Sequence, residues 1–290
     1  MSFLEQLDQQ LAVAGVPRAR RARIAAEFAD HLRENPNAEL GRPEDLARQF
    51  AEELGSWTLR AAAFRTFAAL AFAGCALLVM FVAVGRVRAL TLYGGQHHAM
   101  PAWVSPLLLA AALAAQVALA AGGLALLRAW RLRRDAVIRA ADARILARRA
   151  ALGLFSGVIA LSALPATAIA FPHAIGSTWR LAAWPVTVLA LLALLSALPQ
   201  LLRGLRLRPR GSGPAGDLRD DLEVVVPWAP SPRATAMLLS ATIIVAFTVL
   251  GLLTDDPYDG MLRGMADGLA CLVGYALLGD YLGLRDSATD

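Results

Sequence analysis

Apolar and polar positions are distributed very unevenly along this 290-residue chain. Up to about residue 57 they alternate at helical spacing, with charges between. Beyond that point six long apolar stretches dominate, at roughly 61–85, 102–127, 150–171, 181–202, 234–254 and 262–283. Each approaches the ~20 residues needed to cross a ~30 Å hydrocarbon core. The pattern predicts an all-α protein: a small N-terminal three-helix domain over 1–57, then a six-helix polytopic membrane bundle over 58–284. Residues 205–233 read as a flexible linker within the bundle and 285–290 as a tail.

The N-terminal segment carries its own punctuation. Ser2 and Glu5 have capping-box spacing, in which each side chain satisfies the other residue's exposed N–H. Leu4, Leu7 and Leu11 follow on one face until Gly15. Pro17 suits the first turn of a second helix, where its missing N–H is harmless. Ile24, Phe28 and Leu32 form that helix's apolar stripe, and Asn35-Pro36 stops it. Pro43 opens a third helix with Glu44 and Asp45 at its positive dipole end. Leu46, Phe50 and Leu54 repeat the stripe, and Gly55 reads as the residue that ends the helix. The three stripes can bury one another.

Composition agrees with a membrane bundle: 57% of residues are hydrophobic and the mean hydropathy is +0.52. Charge then adds orientation. Residues 1–60 hold ten acids and eight arginines, net −2, and residues 61–290 hold twenty arginines and thirteen acids, net +7. The connections alternate: 128–149 holds eight arginines and 203–233 six, whereas the opposite loops hold only Arg86 with Arg88, Arg180, and Arg263. The positive-inside rule places the N-terminal domain, both arginine-rich loops and the C-terminus in the cytoplasm, with the bundle in the plasma membrane. There is no lysine, which removes a P-loop, a Schiff-base lysine and a Ser-x-x-Lys site together. Cys75 and Cys271 fall in apolar runs and read as packing thiols. Residues 128–149 read as helical extensions of two spans or as a basic helix on the lipid surface.

The segment from Gly41 to Gly55, together with Phe3-Leu4-Glu5-Gln6-Leu7 and Phe28-Ala29-Asp30-His31-Leu32, resembles the HAAS signalling domain. That bacterial family sets a short helical head, ending in a Gly-x-Pro-Glu-x-Leu-Ala helix, before a run of membrane helices. The resemblance covers about 55 residues and implies a regulatory head that works with a PadR-type transcription regulator. The candidate partner surface is then the polar side of the third helix: Glu44, Asp45, Arg48, Glu52 and Glu53. Charges of both signs there would set partner choice and association rate more than raw affinity. Arg18, Arg20, Arg21 and Arg23 read as a solvated face that also meets lipid headgroups, because Glu27, Asp30 and Glu34 follow on the same helix.

Within the spans, Ala114, Ala118 and Gly122 make a small-residue ridge, and Gly264/Gly268 and Gly279/Gly283 repeat its spacing. Pro165, Pro185 and Pro199 should kink or loosen two spans. Asp267 and Gln116 are the candidate intramembrane polar residues; Asp267 is either an ion or substrate contact or an interface carboxylate. Asp280 falls at the cytoplasmic interface. Other patterns fall short of chemistry. The stretch 255–260 misses calcium-loop positions at Pro257 and Ala266. His97-His98 has no acid or thiol to complete a site, and His173 with Ser177 has no third orienting group. No cofactor, metal or catalytic set is expected. The leading expectation is a non-enzymatic membrane regulator whose head binds a cytosolic protein. The alternative is a transporter or permease subunit with a regulatory prefix. Membrane lipid is the other expected partner, self-association is left open, and direct nucleic-acid contact is not expected.

Overall fold

A computed structural model describes residues 2–36, 40–85, 104–170, 177–207, 218–223, parts of 234–249, 257–279 and 281–282. Among them the regular structure is helical. Helix α1 spans Phe3–Val13, α2 Arg18–Glu34, α3 Pro43–Gly85 and α4 Val104–Arg131. After a 3₁₀ turn at Leu132–Arg134 come α5 (Ala140–Ala170), α6 (Ser177–Leu195), α7 (Leu198–Arg206), α8 (Leu218–Glu223) and α9 (Pro257–Leu278).

The local signals at the N-terminus act as their chemistry dictates. Ser2 and Glu5 form the reciprocal capping box, with the Ser2 N–H donating to Glu5 Oε2 at 2.8 Å. Gly15 takes φ +82°, which an L side chain adopts only with strain, and turns the chain into α2. Pro17 is the cap of α2 rather than its first helical residue, and its carbonyl accepts from the Arg20 and Arg21 N–H groups. Asn35 ends α2 and Pro43 starts α3.

The end of α3 differs from expectation. The helix does not stop at Gly55 but runs unbroken from Pro43 to Gly85, 43 residues in all, through the first membrane stretch. One mid-helix glycine costs only about 1 kcal/mol against alanine, and here it answers a packing need. A Cβ at Gly55 would overlap the Leu207 carbonyl oxygen at the end of α7. The glycine marks a backbone crossing, so the boundary expected at residue 57 runs through an unbroken helix.

Leu7, Leu11, Val16, Ala47, Ala51 and Leu54 form an apolar cluster joining α1 to the first three turns of α3. Phe28 of α2 stacks edge-on against Phe50 at 5.9 Å and tilts against Phe3 at 6.3 Å. No residue of α2 is fully buried, so it covers the cluster from outside. The cluster is not self-contained, because Leu207 completes it from the bundle.

Among the described residues four stretches are long and apolar enough to cross a membrane: Pro43–Ala76, Leu113–Arg134, Ala140–Ala163 and Trp184–Arg206. The chain therefore has the make-up of a membrane protein. The expected fourth span is two helices, broken at Ser196–Ala197 with Pro199 in the first turn of α7. Residues 128–149 are helical extensions of α4 and α5 joined by a tight turn, the first of the two readings. The small-residue ridge brings α4 and α5 together closely. Ala118 is fully buried, and a Cβ at Gly153 would lie 3.1 Å from the Gly122 nitrogen and 3.4 Å from the Ala118 carbonyl. Gly268 of α9 repeats the device, with Ser240 Oγ donating to its carbonyl at 2.8 Å. Large apolar side chains such as Phe155, Ile159, Leu189 and Leu192 point outward, as lipid-facing residues do.

Candidate functional site

The most concentrated chemistry lies where the linker was expected to be loose. Helix α8 places Leu218, Asp221 and Leu222 on one side at i, i+3, i+4. The two leucines join an apolar cluster with Leu124, Leu152, Leu278 and Leu282. Asp221 is fully buried between α4 and α5. Arg128 Nε donates to its two oxygens at 3.2 and 3.0 Å, and Arg149 Nη1 donates to Oδ2 at 2.7 Å. Arg131 Nε lies 3.3 Å from Oδ1. The expectation of a flexible segment over 205–233 is thus overturned at its described positions: α7 reaches Arg206, Leu207 is buried, and 218–223 is a docked helix.

A second buried carboxylate balances the cluster. Asp142, in the first turn of α5, lies 3.1 Å from Arg131 Nη2 and 3.7 Å from Arg128 Nη1. Asp220 adds an exposed contact to Arg131 at 3.2 Å. Arg149 also donates to the carbonyls of Leu282 (2.7 Å) and Leu124 (3.1 Å). Burying such ions is costly, and only a fully paired arrangement offsets the desolvation. The cluster holds no nucleophile or proton shuttle; chemically it is a clamp binding α8 to the α4–α5 hairpin.

A second set of contacts ties α3 to the same end of the bundle. Ser56 Oγ accepts from the Ile138 N–H at 3.0 Å and donates to the Glu52 carbonyl at 2.7 Å. Arg60 Nη1 donates to the carbonyls of Leu132 (2.6 Å) and Asp135 (2.7 Å). Both grip the turn between α4 and α5.

The five residues expected to face a partner do not share one open surface. Glu44, Arg48 and Glu52, four apart on α3, line a groove of about 1150 Å³ whose other walls are the end of α1, α5 and α7. Asp45 and Glu53 are not part of that lining. Glu44, Asp45 and Arg48 are exposed, whereas Glu52 and Glu53 are half-buried. Arg48 pairs with Asp45, and Gln49 donates to Glu53 at 3.3 Å. In α2, Arg21 turns inward onto Asp8 at 3.2 Å, Arg23 pairs with Glu27, and Arg20 stacks 4.9 Å over Trp57.

Gln116 is half-buried on α4. Asp267 sits on α9, and its side chain lies outside the described residues, as do Asp280, His97-His98 and His173. Cys75 is a free thiol. Sequence reading missed Arg128, Asp142, Arg149 and Asp221. Asp221 lies 93 residues from Arg128 and 72 from Arg149 along the chain, beyond any local pattern. The available signal was eight arginines crowded into 128–149, more than a solvated turn needs.

No protein-family model, no curated protein and no solved structure matches the chain.

Proposed function

We propose that this is an integral membrane regulator whose N-terminal helices form a cytoplasmic head that binds a protein partner. The observation that carries the reading is the unbroken α3. It holds the head cluster at one end, enters the first apolar span at the other, and is gripped between by Gly55, Ser56 and Arg60. A tilt or shift of that span therefore moves the head as one piece, as a signal-transmitting element requires. Among the described residues the spans pack through alanine, leucine and glycine, with Thr66, Ser156 and Thr187 as scattered buried hydroxyls. That favours a regulator over a transporter, which would line a path with polar groups. The HAAS resemblance makes a PadR-like repressor the candidate partner, and exposed Glu44 and Asp45 the residues to test.

The head is cytoplasmic in this reading, as are the C-terminus and both arginine-rich connections, with six spans in all. Single cysteines at positions 95 and 215, in a background lacking Cys75 and Cys271, check it: an impermeant reagent outside the cell should label 95 and spare 215. For the partner, full-length protein is purified from native membranes alongside Glu44→Arg/Asp45→Arg. A DNA-binding regulator should accompany the wild type and be lost from the variant. Equal recovery from both, or from neither, sinks the proposed docking role.

A further inference from the structure

The end of the bundle that carries the head is marked by three exposed aromatic rings, each with an arginine against its face. Arg20 lies 4.9 Å over Trp57, Arg133 4.3 Å over Trp130, and Arg148 5.2 Å over Tyr281. The rings are 47%, 44% and 45% exposed although they are large and mostly apolar. Half-exposed Trp and Tyr at the ends of apolar helices form the belt that sits among lipid headgroups. The three pairs come from separate elements, so the pattern is not a local accident.

The groove between α1, α3, α5 and α7 has Tyr281 of this set in its lining. Arg144 and Arg148 line it, about 6 and 12 Å along α5 from Ala140 at 1.5 Å per residue, and Arg206 lines it from the end of α7. All three are exposed, and none pairs with a carboxylate among the described residues. Alanines 147 and 151 and Leu205 supply apolar wall beside them. Glu44 and Glu52 are on the head side; Glu52 precedes Trp57 by five residues, about 7.5 Å. The groove is thus basic and apolar toward the membrane, while on the head side Arg48 lies between Glu44 and Glu52 and the charge is mixed.

We propose that this groove binds the headgroup of an anionic phospholipid, with its phosphate against Arg144, Arg148 and Arg206 and an acyl chain along α5. Long arginine side chains on the first turns of a span reach back to headgroup level while their stems stay in apolar surroundings. Basic pockets between membrane helices select anionic headgroups in this way.

Full-length protein in neutral detergent is titrated with phosphatidylglycerol or phosphatidylcholine, and the first bound lipid is read by native mass spectrometry. Wild type should prefer phosphatidylglycerol. Arg144→Gln/Arg148→Gln should weaken it about thirty-fold and leave phosphatidylcholine nearly unchanged. Arg133→Gln, which removes one charge from the belt and none from the groove, should stay near wild type. Both arginines of the double variant are exposed, so unchanged melting is expected, and Arg206→Gln gives an independent reading if it is not. The proposal fails if wild type binds the two lipids equally, or if Arg133→Gln loses as much as the double variant. It also fails if glycerol phosphate displaces the lipid at equal concentration.

Discussion

The head and the bundle are both helical, yet they hold together by opposite means. In the head, large side chains meet: Phe3, Phe28 and Phe50 stack around a layer of leucines. In the bundle, α4 and α5 approach through Ala118, Gly122 and Gly153, and the ends are joined by buried ions. The contrast follows from the solvent. Water drives leucine and phenylalanine together, whereas lipid offers them equally good company, so helices there gain from close packing and polar ties. A given side chain therefore means different things on the two sides of Trp57.

The contrast is broken most severely at Asp221. Asp221→Ala strands Arg128 and Arg149 without their shared carboxylate, and both are fully buried. The expected loss is about 3–5 kcal/mol, the usual cost of removing one partner from a buried pair. Thermal unfolding in detergent measures it, and a shift no larger than that of Asp220→Ala, an exposed position, would contradict the clamp. A smaller effect is expected at the helix crossing. Gly153→Val must push α4 away from α5 and should cost about 1–3 kcal/mol, with Gly74→Val, where nothing lies near the added Cβ, as the control. The smallest effect is in the head. Phe28 covers its cluster while half-buried, so Phe28→Ala should cost about 2 kcal/mol, below the 3–5 of a fully buried ring. Amide exchange in α1 and α2 should speed up while α4 and α5 keep their protection. Equal acceleration in all four would mean that the head and bundle unfold as one unit.

Local chemistry was legible where local chemistry decides. The capping box at Ser2, the turn at Gly15, the stop at Asn35 and the start at Pro43 each depend on neighbours within four residues. The ridge at Ala118 and Gly122 was legible too, because small-residue spacing is itself the packing surface. Gly55 misled because a glycine signals either an end or a close approach, and Leu207, which settles the choice, lies 152 positions away. Asp221 was hidden for the same reason: an acidic run among glycines and prolines looks solvated until the arginines of α4 and α5 are placed around it. Of the candidate surface, Glu44, Asp45 and Arg48 are exposed and Glu52 and Glu53 half-buried, and the groove that sets Glu44, Arg48 and Glu52 apart from Asp45 and Glu53 belongs to the tertiary structure alone.

Leu207 in the head cluster also sets a timetable. The head's first helices leave the ribosome long before the residue that completes their core. At 5–20 residues per second, some 10–40 s separate Leu7 from Leu207. Through that interval the head must wait part-built beside the membrane while four apolar stretches are inserted. Arg149, and Arg128 with Asp142 beside it, wait in the same manner for Asp221 until α8 arrives. Closure at both places comes from the same downstream segment, the one whose sequence looked least structured, and Leu278 and Leu282 pack against α8 later still.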